Sequence, residues 1–99
     1  MTDNSRPAIR HIVFFSAKDR ADLPKIVAGL EELGKIPHSK VFEVRENTQA
    51  DALSSEVDVV VYAEFASAAD LAAYKADPIY AQAIKVVRPL RELRIAADI

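Results

Sequence analysis

A chain of 99 residues can bury one hydrophobic core and is too short for two. Its 51% hydrophobic and 28% charged content describes a globular domain, and a formal net charge of -2 leaves no basic surface for a nucleic-acid backbone. The absence of cysteine excludes disulfides, thiolate metal sites and a cysteine nucleophile. No apolar run is long enough to span a membrane and MTDNSRP lacks the apolar core of a signal peptide, so a cytoplasmic protein is expected.

Residues 1–7 are polar and without pattern, which predicts a loose tail ahead of a single domain over residues 8–99. Ile9 to Ser16 reads as a strand with His11, Val13 and Phe15 on one face and Ile12 and Phe14 on the other, apolar on both sides. A helix follows. Asp22 is its expected N-cap, Pro24 lies in its first turn, Leu23, Ile26, Val27, Leu30 and Leu33 share its apolar face, and Gly34 is expected to stop it.

Val41 to Arg45 alternates and predicts an edge strand with Phe42 and Val44 inward. After a polar loop, Val57 to Ala66 predicts the central strand, with Val59, Val61, Ala63 and Phe65 on one face and Val60 and Tyr62 on the other. Ser67 and Asp70 form a capping pattern for a short helix presenting Leu71 and Tyr74. Asp77 and Pro78 restart a helix carrying Tyr80, Ala83, Ile84 and Val87 on one side, until Pro89. Leu93, Ile95 and Ala97 alternate with Arg94 and Ala96 in a last, one-sided strand.

This order is an α+β fold, βαββαβ with the second helix broken in two. Placing the doubly apolar strands in the middle of a four-stranded antiparallel sheet gives the ferredoxin-like arrangement. The helices then cover one sheet face only. The other, carrying Ile12, Phe14, Val60 and Tyr62, is an apolar patch that a second copy would cover, so a homodimer forming a barrel is expected.

RHIVFF at Arg10 to Phe15, FEVREN at Phe42 to Asn47, the Asp58 to Phe65 spacing, and Tyr74 followed by DPIY at Asp77 to Tyr80 resemble the stress-responsive A/B barrel domain family of the dimeric α/β-barrel superfamily. The resemblance implies the same fold and homodimer, with function mostly unassigned. A plant branch cyclises polyketide chains without metal or cofactor, using a histidine in an H-P-x-H motif with a tyrosine six residues earlier. That tyrosine corresponds to Tyr74, whereas the motif's histidines correspond to Asp77 and Tyr80, so the acid/base histidine is missing here. The resemblance also implies a pocket histidine at His11.

His11 is therefore the candidate catalytic group, since an imidazole can titrate near neutrality and shuttle a proton; a neutral core histidine bonded to backbone is the plainer reading. His11, Val13, Phe15, Val59, Tyr74 and Tyr80 are the candidate ligand-binding residues, the tyrosines placed to donate to a carbonyl or simply to pack. Asp77 is read first as a cap, His38 as a surface residue in a polar turn, Asp58 and Asn47 as strand-end or turn residues, and Arg88, Arg91 and Arg94 as a solvated face. His11 and His38 lack ligand spacing, so no metal is expected, and with only Gly29 and Gly34 no phosphate loop, dinucleotide fingerprint or nucleophile elbow can be written. No cofactor is implied. Two functions remain: a dimer that binds a small apolar ligand or serves structurally, which the missing histidines favour, and a cofactor-independent enzyme performing cyclase- or lyase-like proton transfer on a small carbonyl or polyketide-like compound. Oxygenase activity, from fold analogy with other branches of the superfamily, has less support.

Overall fold

The computed structural model describes residues 8–99; the expected tail at residues 1–7 lies outside them. In chain order the elements are β1 (Ile9–Ala17), α1 (Leu23–Glu31), β2 (Val41–Glu46), β3 (Val59–Phe65), α2 (Ala68–Ala76), α3 (Pro78–Val87) and β4 (Arg91–Asp98). The sheet is antiparallel with strand order β2-β3-β1-β4, so the two strands apolar on both faces are the central ones. Along β3, Val59, Val61, Ala63 and Phe65 are buried while Val60, Tyr62 and Glu64 are half-buried, the two-residue period of a pleated strand.

β3 lies within the expected Val57–Ala66 run, and Asp58 stands immediately before its first residue. Its buried carboxylate accepts from the Ala17 N–H at 2.9 Å and from Arg20 Nη1 at 2.6 Å, and its own N–H donates to the Phe15 carbonyl at 2.8 Å. Asn47 closes the loop between β2 and β3 by donating to the carbonyls of Val57 at 2.7 Å and Ser54 at 3.2 Å.

The helices lie on the face that carries His11, Val13 and Phe15. Leu23, Ile26 and Leu30 of α1 are buried there, as is Leu33 in the 3-10 turn Glu32–Lys35 that continues the helix. Asp22 occupies the N-cap position of α1 without a side-chain hydrogen bond; Asp19 does the capping instead, accepting from the Ala21 N–H at the start of the 3-10 turn Arg20–Asp22. Gly34 is inside the second 3-10 turn and has no left-handed backbone. A Cβ there would come within 3.0 Å of the Phe42 ring, so close approach accounts for this glycine better than helix termination does. Gly29 likewise lets α1 meet α3, since a Cβ would fall 2.9 Å from Val87 Cγ2.

Ser67 caps α2 by accepting from the Asp70 N–H at 3.1 Å, and Asp77 caps α3 by accepting from the Ile79 N–H at 2.9 Å. With Pro78 supplying a fixed φ and no N–H at the first position of α3, the break between these helices is written locally.

On the opposite sheet face, Ile12 pairs with Tyr62 and Phe14 with Val60, and β4 adds Ala97 beside Ile12 and Ile95 beside Phe14. Ile95 is 55% exposed and the central four residues are half-buried in the single chain. The apolar side of β4 thus faces away from the helices, and its charged side faces them.

Candidate functional site

A half-open cleft lies between the inner sheet face and α2 and α3. His11, Val13, Phe15 and Val61 form its floor, and Leu30, Leu33, Ala83, Ile84 and Val87 its helical wall. Tyr74, Tyr80, Arg91 and Arg94 complete it. About 30 Å³ is enclosed, room for one or two waters, and the space widens to about 400 Å³ with the mouth included.

His11 is 2% exposed, and its Nδ1 is hydrogen-bonded to Asp98 Oδ1. The two residues are register partners across β1 and β4, on the same face, and pairing of Arg10 with Ile99 carries the ladder past them and holds Asp98 in place. An ionised carboxylate accepts only, so Nδ1 is the donor in this bond, and in the neutral imidazole the lone pair is therefore on Nε2. Nε2 has no partner among the described residues, where no fully buried side-chain nitrogen or oxygen goes unsatisfied, so it retains access to the cleft.

Tyr74 obeys the same logic. The residue is 1% exposed and its hydroxyl has no hydrogen-bond partner among the described residues, which leaves the hydroxyl opening into the cleft. Burial pushes its pKa well above the ordinary tyrosine range, Tyr80 adds to the shift, and Arg94 offsets part of it, so it is a neutral donor at physiological pH. Aromatic edges fix the geometry. The His11 ring meets Tyr74 at 6.1 Å and Phe65 at 6.2 Å between centroids, and Tyr74 meets Tyr80 at 5.4 Å, all edge to face.

Of the residues singled out from sequence, His11, Val13, Phe15, Tyr74 and Tyr80 converge on this cleft. Val59 is fully buried in the core outside the lining, and Val61, two residues on, takes the floor position. His38 is half-buried in a turn away from the cleft, and Asp77 is engaged as a cap. Among the described residues no cluster of three or more His, Cys, Asp or Glu is placed to hold a metal.

Asp98, Arg91 and Arg94 were not apparent as cleft residues. Arg91 and Arg94 are three positions apart and would point to opposite faces of a regular strand. Between the Phe15–Arg94 and Ala17–Arg91 pairs, however, β4 advances three residues while β1 advances two, a bulge at which Leu93 N–H donates to Ser16 Oγ at 3.1 Å. The extra residue puts both arginines on the helix-facing side. No sequence signal marks such a bulge.

The family model for the stress responsive A/B barrel domain matches residues 9–99. A dimeric ferredoxin-like protein of unknown function from Thermobifida fusca superposes with a TM-score of 0.80 at 21% identity, covering 100% of this chain and 98% of the other. A family protein from Mesorhizobium loti gives 0.76 at 20% identity, covering 95% and 96%. The hydroxynitrile lyase from Passiflora edulis gives 0.75 at 21% identity, covering 92% and 90%. No curated protein matches the sequence. At these identities the solved structures establish the fold; the match along nearly the whole described chain establishes more, and the chain belongs to the stress responsive A/B barrel domain family.

Proposed function

We propose that the chain forms a homodimer through the outer sheet face carrying Ile12, Phe14, Val60 and Tyr62, and that each protomer's cleft performs cofactor-independent proton transfer on a small carbonyl compound. The observation that carries the reaction is the hydrogen bond between His11 and Asp98, with Nε2 and the Tyr74 hydroxyl left for one cleft. His11 Nε2 takes a proton from the carbon beside the carbonyl, Asp98 stabilises the imidazolium that forms, and Tyr74 donates to the oxygen on which negative charge develops. Return of the proton to another carbon of the enolate completes an isomerisation, attack of the enolate carbon on a second carbonyl of the same molecule with the His11 proton passing to that oxygen completes a cyclisation, and expulsion of a β leaving group that takes the proton completes a lyase step.

Asp98 favours proton transfer over simple binding. A histidine with an oriented carboxylate partner at a cleft is arranged as a base, and the cyclase-type histidine missing at Tyr80 is not required. The dimer rests on the uncovered apolar face and agrees with relatives described as dimeric. The relative named as a hydroxynitrile lyase lends support to an enzyme on this fold.

The test is deuterium exchange into phenylacetone, followed by proton NMR in heavy water with wild type and His11→Gln. Catalysed exchange by wild type and its loss in His11→Gln is the expected result; equal rates in both proteins remove His11 from the chemistry. The small enclosed volume favours one second reading, binding without turnover, under which wild type accelerates no exchange while the ketone still perturbs cleft resonances.

A further inference from the structure

We propose that the cleft selects an organic carboxylate, with Arg91 and Arg94 gripping the anion at the mouth and the ligand's apolar body lying against the cleft walls. The inference deepens the preceding reading by naming its substrate class, and it rests on that reading only for the claim that the bound compound reacts.

Both guanidinium-bearing residues line the cleft because of the β4 bulge, a departure from regular pairing that has no evident role in the core. Neither guanidinium has an ion-pair or side-chain hydrogen-bond partner among the described residues. Asp98 is the carboxylate on the same side of β4, and His11 engages it. Burial disfavours the charge on Arg91, and the neighbouring cations Arg94 and Arg88 disfavour it further, so two positive groups are held together without a counter-charge. An anion between them relieves that repulsion, and the planar arginine fork matches a carboxylate through paired hydrogen bonds.

The remaining walls set the rest of the ligand. Val13, Phe15, Val61 and Val87 offer only hydrocarbon, and Tyr80 an aromatic surface near the arginines. The enclosed space of about 30 Å³ admits a reacting group but no ring, so an aryl or short alkyl body occupies the wider mouth. An aromatic keto acid has this shape, with the carboxylate at Arg91 and Arg94 and the carbonyl toward Tyr74.

Benzoate and its neutral counterpart benzyl alcohol are the probes, titrated into the isotopically labelled protein while backbone amide resonances are followed by NMR. Benzoate should shift β4 and α3 resonances at millimolar concentration, bind at least about tenfold more tightly than benzyl alcohol, and weaken as salt is raised. The Arg91→Gln/Arg94→Gln protein should lose that preference while binding benzyl alcohol as before, and the double lysine variant should recover part of it. Equal affinity for the two probes, no benzoate shifts in the cleft, or an undiminished preference in the glutamine variant would overturn the proposal. Because binding alone is read, benzoate selectivity without enzyme-dependent exchange into phenylpyruvate, which carries both the carboxylate and the ketone, leaves this inference standing and removes proton transfer, whereas phenylacetone exchange without benzoate selectivity does the reverse.

Discussion

His11 and Asp98, 87 positions apart in the chain, face each other across β1 and β4 and join through Nδ1 and Oδ1 on the helix side of the sheet. Because Asp98 is on an edge strand and about two-fifths exposed, its replacement should affect the base more than the fold. In Asp98→Asn the imidazolium loses its compensating charge, and exchange into a bound ketone should fall by roughly 10²- to 10⁴-fold. Thermal unfolding should change little. A variant that exchanges at the wild-type rate would show that Asp98 has only a structural bond to His11.

The approach of α1 to α3 at Gly29 gives a second expectation. Alanine raises helix propensity by up to about 1 kcal/mol over glycine, but here its Cβ would lie 2.9 Å from Val87 Cγ2 and 3.2 Å from Val86 Cγ1. Val87 is 2% exposed and stiff at its branched carbon, so the crowding, about 1–3 kcal/mol for overpacking, should win. Gly29→Ala should therefore unfold at lower urea than wild type, and a higher midpoint would mean that the helices separate freely.

Asp58 offers a third. Its buried carboxylate satisfies the Ala17 N–H and the Arg20 guanidinium at the corner where β1 leaves the sheet. Asp58→Ala removes the acceptor from a half-buried backbone donor and should cost about 1–3 kcal/mol, measurable by urea unfolding. Asp58→Asn should recover part of the loss, because its amide oxygen still accepts.

The sequence carries the fold more plainly than the site, and particular residues show why. Element type follows from short-range pattern: the alternation of Val59, Val61, Ala63 and Phe65, the cap and proline at Asp77 and Pro78, and the helical spacing of Tyr80, Ala83 and Val87 each need only a few neighbouring positions. The cleft residues on β1, α2 and α3 inherit their faces from those periods, which is why His11, Tyr74 and Tyr80 were legible. Asp98, Arg91 and Arg94 depend instead on strand register and on one inserted residue, which are set by pairing between distant segments. The choice of Val59 over Val61 was a matter of position along the strand, which face assignment cannot supply. Gly34 misled for the opposite reason, since a local stop signal stood for a tertiary contact with Phe42.

The outer sheet face yields a prediction about assembly. Phe14 pairs with Val60 on one side and Ile95 on the other, at the centre of the uncovered apolar surface. A glutamate there would place an unpaired charge in the proposed interface, at a cost of several kcal/mol. Phe14→Glu should sediment as a monomer at micromolar concentration where wild type is a dimer, with reduced stability. A stable wild-type monomer would remove the dimer, and a folded dimeric Phe14→Glu would place the interface elsewhere.

The Tyr74 hydroxyl gives an alkaline signature. In the unfolded chain it ionises near its ordinary value of about 10, whereas in the folded protein burial holds it protonated well above that pH. Below about 10 both states keep the proton and the residue contributes no pH dependence. Above it the unfolded state releases a proton that the native state retains, so unfolding becomes more favourable by about 1.4 kcal/mol per pH unit until the folded hydroxyl also ionises. The stability associated with Tyr74 is thus complete at neutral pH and lost as pH rises. Urea unfolding of wild type and Tyr74→Phe at about pH 8 and about pH 11 isolates the effect, because the other titrating groups are common to both proteins. Wild type should lose more stability than Tyr74→Phe between the two conditions, by about 1 kcal/mol or more. An equal loss would mean that the folded hydroxyl ionises as readily as the unfolded one, and would disqualify Tyr74 as the neutral donor facing a developing oxyanion.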